Sequence, residues 1–235
     1  AELFAHGRAA NTFLPQVALF DRFGNRINQI TYHPSYHALM AESVRWQIHS
    51  QPWVEPRRGA LVARMAKSFM MGQVEQGHGC PITMTFAAVP ALRHQPEIAS
   101  WWVPRITAGS YDGSDRPASE KPGLTIGMAM TEKQGGSDVR ANTTVAVAAG
   151  GRTGPGAAYR LVGHKWFCSA PMCDAFLTLA HTDRGLSCFL LPRWAPDGDG
   201  PQLEVAQLSK NTAWSRNPMW VQRLKDKVGN RSNAS

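Results

Sequence analysis

The sequence predicts an α+β protein, with an N-terminal helical domain over residues 1–122 followed by an antiparallel β-domain over residues 123–235. Three observations carry this. As far as Ile106 the apolar residues recur at helical spacing. From Leu124 onward the periods shorten and β-forming residues increase. Between the two, Ser110 to Gly123 is polar and holds Pro117 and Pro122, the composition of a linker.

Pro34 suits the first turn of a helix, on which Tyr36, Leu39, Met40, Val44 and Ile48 share a face. Pro52 and Pro56 break that pattern. A second helix is expected from Gly59, with Leu61, Val62, Met65, Ala66, Phe69 and Val74 as its core side, ended by Gly77 and Gly79 before Pro81. The apolar run from Ile82 to His94 reads as a buried helix interrupted by Pro90, and Glu97 to Ile106 as a shorter one bearing Trp101 and Trp102. Strands are expected at 143–148, 159–162, 175–181 and 186–191. Gly150-Gly-Arg-Thr-Gly-Pro-Gly156 resembles a phosphate loop but lies between two strands and precedes no helix, so it reads as a hairpin loop. Residues 199–222 set no clear period.

Hydrophobic residues make up 43% of the 235 and charged residues 18%, a globular balance. No apolar run is long enough to span a bilayer, so no membrane role is expected. The net charge of +8 favours polyanions, which include nucleic acid and also coenzyme A and FAD, but no basic stripe interleaved with aromatics appears. Cys80, Cys168, Cys173 and Cys188 contain no C-x-x-C pair and sit among apolar neighbours, which reads as buried reduced thiols in a reducing, cytoplasmic compartment.

The richest stretch is Gly127-Met-Ala-Met-Thr-Glu-Lys-Gln-Gly-Gly-Ser-Asp138. Met128 and Met130 alternate with small residues as in a buried strand, and Thr131 places a hydroxyl at the strand end. Gly135 and Gly136 open backbone angles closed to other residues and allow close approach of a ligand. Ser137 adds a hydroxyl and an N–H, and consecutive N–H groups can cradle an anion. A polar hairpin turn would read the same way, and neither a dinucleotide fingerprint nor a P-loop occurs. A second segment, Tyr159-Arg-Leu-Val-Gly-His-Lys-Trp-Phe-Cys-Ser169, reads as a strand, a turn at Gly163-His164 and an aromatic strand.

Together these segments resemble the middle domain of the acyl-CoA dehydrogenase flavoproteins, in the AidB-like branch. The resemblance extends to Asn142-Thr-Thr144, Gly163-His-Lys-Trp-Phe167, Cys80-Pro-Ile-Thr-Met-Thr-Phe-Ala-Ala88, Gly185-Leu-Ser-Cys-Phe189 and Leu224 to Ser235. It implies a β-barrel-like middle domain and a C-terminal helical domain that is missing here, so the chain is expected to be a fragment. It implies FAD held by Met128, Met130, Thr131, Gly136, Ser137, Phe167, Cys168 and Ser169. Thr131 would lie at the pyrimidine edge of the flavin, Ser137 near phosphates or thioester, and Phe167, Cys168 and Ser169 beside the ring. The implied reaction is α,β-dehydrogenation of an acyl-CoA or similar thioester by hydride transfer to flavin. The base in relatives lies in the missing domain, so no catalytic residue is named, and Glu132 is not promoted to that role. A homotetramer is implied for the full-length protein. The rival reading is a DNA-associated alkylation-response flavoprotein, binding duplex DNA through the missing C-terminal region. A third is a truncated product with no function of its own.

Other candidates read as structural. His33 and His37 could share a helix face as metal ligands, but no carboxylate or cysteine completes a site, so no metal is expected. Neither Ser137 nor Ser169 stands in G-x-S-x-G.

Overall fold

The computed structural model describes residues 2–149, 151–154 and 156–194, and the backbone of two further strands. No expected element covers the first of its segments, a helix α1 (Glu2–Thr12) and a hairpin of β1 (Gln16–Phe20) and β2 (Arg26–Thr31). The hairpin turn is built by Asp21, whose carboxylate accepts the N–H groups of Phe23 at 2.8 Å and Asn25 at 2.9 Å. Gly24 takes the left-handed φ of 82° that this turn requires.

Of the expected helices α2 (Pro34–Arg45) comes first, a short α3 (Gln51–Val54) forms where Pro52 was expected only to break the pattern, and the expected α4 (Ala60–Val74), α5 (Gly79–Arg93) and α6 (Pro96–Ile106) follow. His33 caps α2: its Nδ1 accepts the Ser35 N–H at 3.1 Å, and its ring stacks on Phe13. His37 instead meets the Tyr111 hydroxyl at 2.8 Å, so the two histidines have separate structural partners. α5 continues through Pro90 and buries Ile82, Met84, Ala88, Val89 and Leu92.

The expected core side of α4 is not core. Leu61, Val62, Met65 and Phe69 are exposed, at 58%, 73%, 57% and 70%, and the helix buries Ala60 and Arg64 instead. A helical stripe of apolar residues reads alike whether it faces this core or something outside it.

The polar connection 110–123 is pinned at several points. Lys121 Nζ donates to Asp174 Oδ1 at 2.6 Å with both side chains buried, and to the Ser114 carbonyl. At Gly123 a side chain has no room, because a Cβ would stand 1.9 Å from the Ser110 carbonyl oxygen.

The sheet comprises β3 (Ile126–Ala129), β4 (Val145–Ala148), β5 (Tyr159–Cys168), β6 (Ala175–Thr182), β7 (Gly185–Pro192), β8 (Leu203–Ser209) and β9 (Met219–Leu224). It is a curled half-barrel of seven strands in the order β3-β6-β4-β5-β9-β8, with β7 paired to β6. Most pairings are antiparallel as expected, but β3 and β4 both run parallel to β6, so the sheet is mixed. Alternating side chains report which face is buried, not strand direction. β3 ends opposite Thr178 and β4 begins opposite His181, so the chain from Met130 to Thr144 leaves the line of β6 and rejoins it three residues further on.

The turn expected at Gly163-His164 is absent, and β5 runs through it. Gly163 is small for another reason: a Cβ there would lie 2.4 Å from Thr144 Oγ1. The loop after β4 closes a hairpin as expected, with Ala148 opposite Tyr159. Residues 199–222 include β8 and part of β9, which pair antiparallel. Of the cysteines expected to be buried, Cys168 and Cys173 are, while Cys80 is half-buried and Cys188 exposed.

Two cores join helices to sheet. One gathers Met40, Val44 and Ile48 with Leu161, Phe176 and Leu191. The other gathers Val89, Leu92, Trp102 and Ile106 with Leu124, Ile126 and Leu177. No helix among the described residues is long and apolar enough to cross a membrane.

Candidate functional site

The two motifs meet at one bridge. Where β3 gives way to the loop, Thr131 pairs with Trp166 of β5: the Trp166 N–H donates to the Thr131 carbonyl at 2.9 Å, and Thr131 Oγ1 donates to the Trp166 carbonyl at 2.7 Å. The next pair inward is Glu132 and Lys165, an ion pair at 3.1 Å. The Glu132 carboxylate also accepts the N–H and hydroxyl groups of Thr143 and Thr144, and the Gln134 amide. Burial alone would push its carboxyl upward, but the Thr144 hydroxyl, the two backbone N–H groups and Gln134 hold it well below the usual carboxylate range. Asn142 Nδ2 donates to the Met130 carbonyl at 2.8 Å. The Asn142-Thr-Thr144 run is thus the bracket that returns the loop to the sheet.

A carboxylate so fully occupied has no free oxygen to take up a substrate proton, which assigns Glu132 a structural role. The sequence reading passed over the pair itself. Its signal was two charged residues beside strand positions that the bridge places opposite one another.

Each expected site residue now has a place. Gly136 lies against Thr131, where a Cβ would stand 3.1 Å from Thr131 Cγ2. Neither Gly135 nor Gly136 adopts a left-handed φ, so their expected conformational role is not used; close approach explains Gly136, and a Cβ on Gly135 would meet nothing. Ser137 is exposed. Met128 and Met130 are half-buried against the cores. Phe167 is 56% exposed and adopts a φ of 61°, at the point where the register of β5 on β9 slips. A bulky residue in the left-handed region is held there by its surroundings. The bulge turns a large apolar ring outward beside the Thr131 bridge.

Cys168 differs from expectation. Its side chain is fully buried and its thiol is pushed up to about 12 by that burial, so only its backbone can serve the site. Ser169 is half-buried and hydrogen-bonds Cys80 at the head of α5, which ties the end of the aromatic strand to the helices.

Two family models match this chain almost end to end: the adaptive response protein AidB N-terminal domain over residues 1–113, and the acyl-CoA dehydrogenase middle domain over residues 127–234. The chain belongs to the acyl-CoA dehydrogenase family, in its AidB branch. It is 46% identical over 237 aligned residues to AidB of Escherichia coli (strain K12), an alignment covering all of this chain and 40% of that protein. Among solved structures, the apo form of Bd2924 superposes with a TM-score of 0.83 at 26% identity, covering 96% of this chain and 45% of that one. Caenorhabditis elegans ACDH-11 in complex with C11-CoA superposes with a TM-score of 0.79 at 26% identity, covering 98% of this chain and 40% of that one. The chain therefore spans less than half the length of each of these relatives.

Proposed function

We propose that the protein of which this chain forms part is an FAD flavoprotein that dehydrogenates an acyl-CoA thioester between its α and β carbons. The observation that carries this is the Thr131–Trp166 double hydrogen bond beside an exposed Phe167 at φ 61°. The residues fit a flavin. Phe167 offers a flat apolar wall, Thr131 an edge for hydrogen bonding, and Gly136 a close approach to Thr131. Met128, Met130, Ser137, the Cys168 backbone and Ser169 would complete the cradle. When bound, FAD supplies the acceptor for the hydride leaving the β-carbon. This chain's part is to bind and orient, and the α-proton requires a base from outside the residues described.

The acyl-CoA substrate is supported by family membership and by the C11-CoA complex of ACDH-11. We also infer a cytoplasmic homotetramer: the free cysteines favour a reducing compartment, and the exposed Leu61 and Val62 of α4 favour a partner surface. The test is purification of the full-length protein. Yellow protein with a flavin spectrum, and its loss in Thr131→Val with Phe167→Ala, supports the reading; colourless protein that FAD does not reconstitute sinks it.

The AidB N-terminal match favours a second reading, a DNA-associated alkylation-response flavoprotein with vestigial dehydrogenase activity. Its DNA contact would lie outside this chain. Comparing the duplex-DNA affinity of this chain and the full-length protein at physiological salt tests it, since full retention by the chain would place the contact here.

A further inference from the structure

Apart from the flavin-type site, three polar side chains meet where α2, α4 and α5 converge. Ser43 Oγ lies 2.9 Å from His78 Nε2, and His78 Nδ1 lies 2.8 Å from Glu75 Oε2. Glu75 Oε1 and Oε2 also accept the backbone N–H groups of Gly77 and His78. Burial raises the Glu75 carboxyl, but these hydrogen bonds outweigh it and the net shift is downward, so Glu75 is ionised. An ionised acceptor requires the proton on His78 Nδ1. In the neutral ring Nε2 is then the acceptor of the Ser43 hydroxyl, the arrangement of a nucleophile, its base and an orienting carboxylate.

All three residues line one open cleft of about 420 Å³. Its walls include Ile48, Met65, Phe69, Met71 and Ile82, which suit an aliphatic group. The start of α5 also lines it through Gly79, Ile82 and Thr83, so the positive end of a 15-residue helix dipole borders the cleft. Ser43 is 1% exposed and so forms the floor, while Met65 and Phe69 stand at the exposed rim.

We propose that Ser43, His78 and Glu75 constitute a second active centre that hydrolyses short aliphatic acyl esters through an acyl-Ser43 intermediate. Ser43 Oγ bonds to the carbonyl carbon as its proton passes to His78 Nε2. The ester C–O bond breaks, and the alcohol departs with that proton. Water then attacks the acyl group, giving a proton to Nε2, and Ser43 regains it as the carboxylic acid leaves. This centre is independent of the flavin reading.

The test uses the purified full-length protein with a fluorophosphonate probe, located by peptide mass spectrometry, together with p-nitrophenyl butyrate hydrolysis. The expected result is modification of Ser43 in the unaltered protein, at least a tenfold loss of labelling and turnover in His78→Gln, and retention of both in Ser100→Ala, which alters an exposed serine outside the cleft. A network that merely closes the α4–α5 corner would leave Ser43 unlabelled. Absence of probe on Ser43 in the folded unaltered protein overturns the proposal, as does labelling of Ser43 at the same rate in His78→Gln; the first arm does not depend on any variant folding.

Discussion

Glu132 and Lys165 face each other at 3.1 Å with neither side chain exposed to solvent. The pair sits one residue inward of the Thr131–Trp166 bridge, so it fixes how the strand-end loop meets the aromatic strand. Burial pulls the Lys165 ammonium down, its bond to Glu132 opposes this, and Glu132 itself is held low. The two shifts point opposite ways for the pair's stability. Glu132 is the better-held partner, its charge met by the donors of Thr143, Thr144 and Gln134 as well as by Lys165.

Lys165→Met therefore leaves a buried carboxylate short of its counter-charge and should destabilise the chain by about 3–5 kcal/mol, whereas Glu132→Gln with Lys165→Met should lose less than the two single changes summed. Urea titrations of the three variants measure this. The pH sign follows from the carboxylate. Its folded pKa lies below the ordinary 4.5, so its stabilisation is complete above that value and is lost as pH falls beneath it.

The connection between helices and sheet carries a second buried pair. Asp174 accepts Lys121 Nζ at 2.6 Å, the Thr125 N–H at 2.7 Å and the Thr125 hydroxyl at 3.1 Å. Burial pushes its carboxyl upward against those partners, so the loss of Lys121 should be felt strongly. Lys121→Met should lower stability by about 3–5 kcal/mol and open the segment 110–123 to limited proteolysis. Unchanged cleavage kinetics in the folded variant would show that Asp174 does not hold the connection.

The helices α2, α5 and α6 were legible because their apolar residues and prolines act locally, through spacing and capping. The strands β4, β6 and β7 were legible by their β-forming residues. Long-range placement was not. Nothing local says that β3 and β4 both run parallel to β6, or that the stripe on α4 faces away from this core. At the site, the motif marked candidate residues without marking their contacts. Glu132, Asn142, Thr143 and Thr144 look like ligand groups in sequence and are spent on one another and on Lys165 and Met130. Cys168, expected beside the cofactor, turns its thiol into the core because successive side chains alternate across a strand.

Phe167 separates binding from stability. It is exposed and its φ of 61° suits glycine, so Phe167→Gly relieves strain while removing little buried surface. Stability of this chain should change by less than about 1 kcal/mol, because relief of the backbone is offset by the added freedom of the unfolded chain. FAD affinity of the full-length protein should fall at least tenfold, equivalent to about 1.4 kcal/mol. Flavin fluorescence titration reads the second quantity, and an unaltered affinity would remove Phe167 from the cofactor wall.

His49 gives the chain an acid sensitivity of known sign. Its ring is 2% exposed, and Nε2 meets the Ala108 carbonyl at 3.0 Å. Burial lowers its pKa from 6.5 to about 4, the Ala108 carbonyl works against that shift, and the nearby Arg64 adds to it. The folded chain therefore resists protonation that the unfolded chain accepts between those two values. In that window the unfolded state binds more protons, so stability rises with pH and is lost as pH falls from 6.5 toward 4, by roughly 3 kcal/mol in total. Replacing the ring by an amide that cannot titrate, as in His49→Gln, should flatten this limb while lowering stability at neutral pH through imperfect packing. Urea midpoints taken from pH 7 to pH 4 on the chain and its variant decide the matter. Parallel slopes in the two would mean that another group carries the acid response.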